Sequence, residues 1–323
     1  MSDNLLEIRN LTRVFMVGGF AFGKKLTAVD DVSLTVTNER PVILSLVGES
    51  GCGKTTLTKM ILRLLEPTRG DILLNGHSLL SRRELPEKEF CEIVQPIFQN
   101  PFEAFSMRRR VENYLLDTAL KFGGAKNRRQ AEEMADQALQ SVGLSYAVVT
   151  GKYATQFSGG ELQRVSIARA LITHPRLIIA DEPVAMIDAS MKMNIVNLFK
   201  EIRDRMGISF IYITHDLSTA YYVSDYIATL YRGSLIEYGR ALDIMENPAH
   251  PYTELLMNSV PHVGDKWERG VLVSESEGRE FGLTTCKFAS RCSYATEECR
   301  KARPPMHELE GGRRVLCCHP LGK

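Results

Sequence analysis

The sequence predicts an α/β fold: a domain with a parallel-sheet core over residues 1–247, and a small C-terminal extension over residues 248–323. Three observations predict it. From residue 177 to residue 231 apolar strands alternate with helical patterns, and such alternation builds βαβ units around a largely parallel sheet. An almost continuous apolar run at 42–47 reads as a strand buried on both faces, and a glycine-rich loop carries it straight into a helical pattern. Beyond about Asn247, proline and cysteine become frequent and the periodicity fades, which sets the boundary.

The elements follow in order. Residues 5–47 read as short strands with turns, and Val32-Ser33-Leu34-Thr35-Val36 alternates with period two. Leu57, Ile61, Leu64 and Leu65 have helical spacing over 54–65, with Pro67 just past the end. Ile72-Leu73-Leu74 before Asn75-Gly76 is a strand entering a tight turn. Residues 108–145 are rich in Ala, Gln, Glu and Arg. With Val111, Leu115, Leu116, Ala119 and Leu120 at helical spacing, they read as a helical insertion. Strands at 177–180, 209–214 and 227–231 then alternate with helices at 195–202 and 217–223. No internal repeat is visible.

Composition narrows the function classes. Forty Lys+Arg against 39 Asp+Glu give a formal charge of +1, which argues against a broad basic face for duplex DNA. With 44% hydrophobic and 24% charged residues, a disordered or collagen-like chain is excluded. No run approaches the roughly 18–20 apolar residues that cross a bilayer. The first ten residues carry Asp3, Asn4, Glu7 and Arg9 and lack the plan of a signal peptide. The expected setting is cytosolic, where a cluster of cysteines points to metal or catalysis before disulfides.

Gly48-Glu49-Ser50-Gly51-Cys52-Gly53-Lys54-Thr55 fits G-x-x-x-x-G-K-[ST] and is followed by Thr56. Its glycines let successive N–H groups face an anion, and the following helix adds its positive end. Lys54 is expected to reach the β- and γ-phosphates of a nucleotide, and the Thr55 hydroxyl to ligate Mg²⁺. Downstream, the apolar run 177–180 ends in Asp181-Glu182-Pro183. That placement puts Asp181 at the C-terminal edge of a sheet, where ligands bind, as a partner for Mg²⁺ through water. Glu182 is then placed to orient or deprotonate the attacking water.

Phe157-Ser158-Gly159-Gly160-Glu161-Leu162-Gln163-Arg164 precedes an amphipathic helix. With the phosphate loop and the Asp181-Glu182 pair, the chain from Leu5 to about Asn247 resembles the nucleotide-binding subunits of ABC transporters. The resemblance implies the ABC-type fold, with an antiparallel β subdomain and a helical insertion at about 101–157. It implies ATP and Mg²⁺ as ligands, and a head-to-tail dimer in which Ser158, Gly159 and Gly160 close on the nucleotide of a partner subunit. By the same resemblance, Gln99 falls at the Q-loop position that senses Mg²⁺ and water, His215 at the switch position that grips the γ-phosphate, and Asp188 at the D-loop position. Phe15 is the candidate adenine-stacking aromatic, with Phe20 and Phe22 close by. Two positions depart from the family pattern: Glu161 replaces the usual glutamine, and Met186-Ile187-Asp188 replaces Ala-Leu-Asp. A carboxylate near a γ-phosphate is repulsive unless it points away or pairs with a cation.

The tail adds His250-Pro251-Tyr252-Thr253-Glu254-Leu255-Leu256 and Cys286-Lys287-Phe288-Ala289-Ser290-Arg291-Cys292, with Cys299 and Cys317 beyond. These resemble the C-terminal extension of the oligopeptide/dipeptide permease branch. Four thiolates at Cys286, Cys292, Cys299 and Cys317 suit a tetrahedral zinc or a 4Fe-4S cluster. The resemblance favours iron–sulfur, with Cys318 and His319 as reserve ligands; simple burial of the thiols is the plain alternative. The resemblance also implies an ATP-hydrolysing importer subunit at the cytoplasmic face of the membrane. Its partners would be a second, different ATPase subunit, two membrane-spanning permease subunits and an extracytoplasmic binding protein, with no nucleic acid. Peptides are the expected cargo, and oligosaccharides or nickel the alternatives. A weakly hydrolysing regulatory subunit in a heterodimeric ATPase pair is the competing role.

Overall fold

The computed structural model describes residues 3–17, 24–259 and 280–322. Strands β1 (Asn4–Val17), β2 (Lys24–Thr37), β4 (Arg69–Leu74) and β5 (His77–Ser78) make an antiparallel sheet in the order β2-β1-β4-β5. A second, eight-stranded sheet contains β3 (Ile43–Val47), β6 (Val94–Ile97), β7 (Leu177–Asp181), β8 (Ser209–Ile213), β9 (Tyr226–Tyr231) and β10 (Ser234–Arg240). It is completed by β11 (Met306–Leu309) and β12 (Arg313–Leu316) from the tail, in the order β11-β12-β10-β9-β3-β8-β7-β6. The pairs from β6 to β9 are parallel; β10, β12 and β11 add on antiparallel.

The central strands are apolar on both faces because both faces are covered. Ile43, Ile178, Ala180, Phe210 and Tyr212 point into a core shared with the helical layer. Their alternates Leu44, Leu46, Ile179, Ile211 and Ile213 point into a second core beneath the antiparallel sheet. The helical layer holds α3 (Glu112–Lys121), α4 (Arg128–Ser141), α5 (Tyr146–Val149) and α6 (Gly159–Leu171). The other helices are α1 (Lys54–Ile61), α2 (Glu87–Ile93), α7 (Ala189–Met206), α8 (Leu217–Val223), α9 (Ala241–Glu246) and α10 (Pro251–Asn258).

Two elements differ from the sequence expectation. The short strands expected before residue 37 merge into two 14-residue strands, and register shifts near Asn10 and Asp31, both at positive φ, break the alternation that would have revealed them. The helix expected over 54–65 stops at Ile61. Arg63 takes the left-handed conformation (φ 57°), its N–H bonds to the Met60 carbonyl and that of Leu64 to Lys59, which closes the helix in a Schellman turn without a glycine.

The tail is tied to the sheet by a buried carboxylate. Glu237 of β10 is 1% exposed and accepts from the N–H groups of Ala249 (2.8 Å) and His250 (3.0 Å) and from Arg313 Nε of β12 (3.0 Å). The same guanidinium also donates to the Asn247 carbonyl. One ionised group therefore fixes the start of α10 and the pairing of β12 together.

Candidate nucleotide site

The phosphate loop leaves β3 and enters α1. Gly48 sits at φ 146°, where an added Cβ would lie 2.3 Å from the Leu230 carbonyl oxygen, and Gly53 at φ 110°, equally close to that of Ala28. Only glycine fits at either end of the loop. Lys54 is buried, and its Nζ donates to the carbonyls of Gly48 (2.6 Å) and Glu49 (3.0 Å), curling the loop around its own ammonium. Cys52 is packed beneath, with its thiol pushed up by burial against the opposing pull of Lys54. Thr55 stands exposed and Thr56 half-buried on the first turn of α1, with Ser50 and Gly51 exposed at the loop's crest.

The neighbouring parallel strands deliver the remaining groups at the same edge. Asp181 ends β7, and its carboxyl is held above the usual range first by burial, then by the charge of Glu182; Lys54 opposes both. Glu182 occupies the left-handed region (φ 45°), a strained setting for a non-glycine residue, and its N–H is fixed on the Ile213 carbonyl at 2.9 Å. Its carboxylate lies between two groups from the flanking strands. Gln99, just past β6, donates from Nε2 at 3.1 Å, and His215, just past β8, places Nδ1 3.1 Å from the other oxygen. Strand order thus brings Lys54, Thr55, Asp181, Glu182, Gln99 and His215 to one place. A hydroxyl and a carboxylate beside a phosphate cradle are the hard oxygen donors that suit Mg²⁺.

Ser158, Gly159 and Gly160 belong to a second group with Asp188. Gly159 packs near the Met186 carbonyl and Gly160 near Ile187 and Met191, while Asp188 is exposed at the start of α7. Glu161 points back rather than outward. Its carboxylate accepts from the Ser158 N–H and hydroxyl, both at 2.9 Å, while its own N–H donates to the Ser158 oxygen at 3.3 Å. This capping box turns the carboxylate back onto Ser158, whose hydrogen bonds hold it below the usual carboxylate range. Ile187 is buried in the core and Met186 is 58% exposed. Phe15 lies half-buried on β1 with the Arg13 guanidinium 4.7 Å from its ring centre; Phe20 and Phe22 lie outside the described residues.

The tail cysteines do not make the expected metal site. Among the described residues, no group of three or more His, Cys, Asp or Glu is arranged to hold a metal ion. Cys286, Cys292, Cys299, Cys317 and Cys318 gather within electrostatic range of one another as free thiols. Burial pushes Cys286 and Cys292 up, Cys317 to about 11 and Cys318 to about 12. Burial works the same way on Cys299, but hydrogen bonds from Thr296 and Cys318 bring it lower.

Sequence reasoning assigned no role at the site to Tyr252 or Arg291, which reach the loop from the tail. The Glu49 N–H donates to the Tyr252 hydroxyl at 2.9 Å, and Arg291 forks onto the Glu49 carboxylate at 2.8 and 2.9 Å. No local pattern announces a contact across more than 200 residues.

Residues 29–185 match the ABC transporter family, and residues 236–299 match the oligopeptide/dipeptide transporter C-terminal region. The putative oligopeptide transport ATP-binding protein YkfD of Bacillus subtilis is 36% identical over 97% of this chain and 94% of its own. The dipeptide transport ATP-binding protein DppF of Haemophilus influenzae is 33% identical over 98% of this chain and 96% of its own. Among solved structures, the dimeric ATP-binding cassette MJ0796 in a post-hydrolysis state with ADP and Pi is similar at TM-score 0.62 and 25% identity, over 73% of this chain and 98% of that one. The fold is shared also with cbiO1 of Clostridium perfringens (TM-score 0.64, 23% identity, 76% of this chain and 92% of that one). The chain therefore belongs to the ABC transporter family of ATP-binding cassettes. Within it, the tail and the full-length relatives place it in the oligopeptide/dipeptide branch.

Proposed function

We propose that the chain is the ATP-binding and ATP-hydrolysing subunit of an importer of oligopeptides or dipeptides. The observation that carries this is the Glu182 carboxylate held between Gln99 and His215, at the strand edge that also carries the phosphate loop. The loop N–H groups and Lys54 bind the β- and γ-phosphates, and Lys54 exchanges its two carbonyl partners for them. Thr55 and Asp181 hold Mg²⁺, which neutralises phosphate charge. Glu182 orients the attacking water and accepts its proton, and His215 bonds the γ-phosphate.

Relatives named for oligopeptide and dipeptide transport support the cargo. No helix among the described residues is long and apolar enough to cross a membrane. Kinship with peptide transport ATP-binding proteins supports delivery of the work to membrane-spanning permease subunits fed by an extracytoplasmic binding protein. A groove of about 270 Å³, lined by Leu64, Phe90, Phe98 and Phe122 and continuous with the Gln99 segment, suits the permease contact at the cytoplasmic face. Signature groups Ser158, Gly159 and Gly160 serve the nucleotide of a second, different ATPase subunit, with Asp188 between the sites. One observation favours an unequal pair: the Ser158 hydroxyl is engaged by Glu161. Replacing Glu182 with Gln in this chain alone, within the assembled complex, tests the role. ATP binding is expected to persist while turnover nearly stops; full turnover refutes it.

A further inference from the structure

Glu49 is held from three directions. Its carbonyl accepts from Lys54, its N–H donates to Tyr252, and its carboxylate is forked by Arg291. Two of those three grips come from the C-terminal extension. The Arg291 guanidinium is itself seated 5.8 Å from the ring centres of Tyr231 and Phe288, and the fully buried Tyr252 packs on the same two rings at 4.6 and 5.4 Å. The anchors are therefore rigid. A planar fork on a carboxylate fixes direction as well as distance.

The other end of the loop is reached less directly. Lys287 Nζ, 7% exposed, donates to Asp30 (2.8 Å) and to the Arg232 carbonyl (2.8 Å). The next residue, Gly233, donates its N–H to the Cys52 carbonyl at 2.8 Å. The tail thus touches the loop at Glu49 and steadies the turn that holds it at Cys52. A cavity of about 360 Å³ lies where these parts meet, bordered by Gly48, Glu49 and His215 and, from α10, by Leu256 and Ser259.

We infer that the C-terminal extension is a positioning element of the nucleotide site, acting on the phosphate loop through the Arg291–Glu49 fork and the Tyr252 hydroxyl. The inference rests on the ATPase reading above. When Lys54 leaves the Glu49 carbonyl for phosphate, that carbonyl keeps only the long bond from the Cys52 N–H (3.3 Å), and the two tail contacts hold the N–H and the side chain of Glu49, so their loss acts on nucleotide affinity rather than on the chemical step.

The test is a double-mutant cycle on the full-length chain, read by titration with a fluorescent ATP analogue, and by KM and kcat for ATP in the assembled complex. Arg291→Ala is expected to weaken affinity about tenfold (about 1.4 kcal/mol), with kcat at saturating ATP within about twofold of the wild type. Glu49→Gln should weaken affinity to nearly the same extent, and the double variant should bind no worse than either single one, because both remove one fork. Arg291→Lys should recover only part of the loss, since an ammonium cannot make both bonds. Fully additive losses would show that Arg291 acts through the fold of the tail and overturn the inference. So would unchanged affinity in the variants of a wild type that binds ATP. A wild type that binds no nucleotide would overturn the ATPase reading itself, and the inference with it.

Discussion

Replacing Arg313 by Ala removes the only cation that bonds the buried Glu237 carboxylate among the described residues. The carboxylate keeps its two N–H donors from Ala249 and His250 but loses the guanidinium. Breaking a buried pair by deleting one partner costs about 3–5 kcal/mol. The Asn247 carbonyl also loses its donor, but it lies at a partly buried loop where water can replace it, so the lower half of that range is the better figure. At about 2.1 cal/mol/K of unfolding entropy per residue, about 3 kcal/mol lowers the melting temperature of a 323-residue chain by roughly 4–5 °C. Differential scanning calorimetry on the purified protein reads it directly. Glu237→Leu combined with Arg313→Leu should recover much of the loss, because an apolar pair carries no desolvation cost. A melting temperature within a degree of wild type for Arg313→Ala would refute the account of Glu237 as the tie between tail and sheet.

Other outcomes follow from the same structure. Glu182→Gln should lower ATP turnover by about 10²–10⁴-fold, the usual weight of a general base, with nucleotide binding retained in equilibrium titration. Glu161→Gln preserves a capping box, so the melting temperature should hold, while complex turnover should rise as the carboxylate leaves Ser158; a fall in turnover would contradict this. His250 is buried and its pKa is lowered by burial to about 3 from 6.5, with Nδ1 accepting from the Tyr252 N–H. The unfolded chain therefore binds a proton below pH 6.5 that the folded chain refuses, and stability falls as pH drops from 6.5 toward 3. Between pH 7 and 5 the loss should be about 2 kcal/mol in chemical denaturation, and His250→Asn, which can still cap α10, should flatten the slope.

The nucleotide groups were legible in the sequence because each is a short contiguous motif at a strand end, and parallel strand order does the rest. Lys54, Asp181 and Glu182 needed only their own flanking residues to be singled out, while Gln99 and His215 needed the family resemblance as well. What stayed hidden lacked a local signal. Arg63 closes a helix in a conformation where glycine is the usual cue, and the bulges of β1 scramble its period. β11 and β12 are four residues each, and β12 pairs with β10, nearly eighty residues earlier, while β11 pairs with β12, so no long alternating run marks either. The cysteine spacing suggested ligands, but spacing along the chain says nothing of how the side chains are arranged in space, and among the described residues they form no metal-holding group.

The pairing of β12 onto β10 has a consequence for how the chain behaves in solution. β10 is a seven-residue strand, almost wholly buried, at what would otherwise be the open edge of the large sheet. Stripped of its tail, it would offer a row of unpaired peptide groups, a template onto which other chains can add. In the full chain that edge passes instead to β11, four residues long, half of them exposed, and carrying His307 and Glu308. The extension so ends the sheet with a segment too short and too polar to recruit a neighbour. Truncation before residue 306 is therefore a route to aggregation even where the catalytic lobe remains folded.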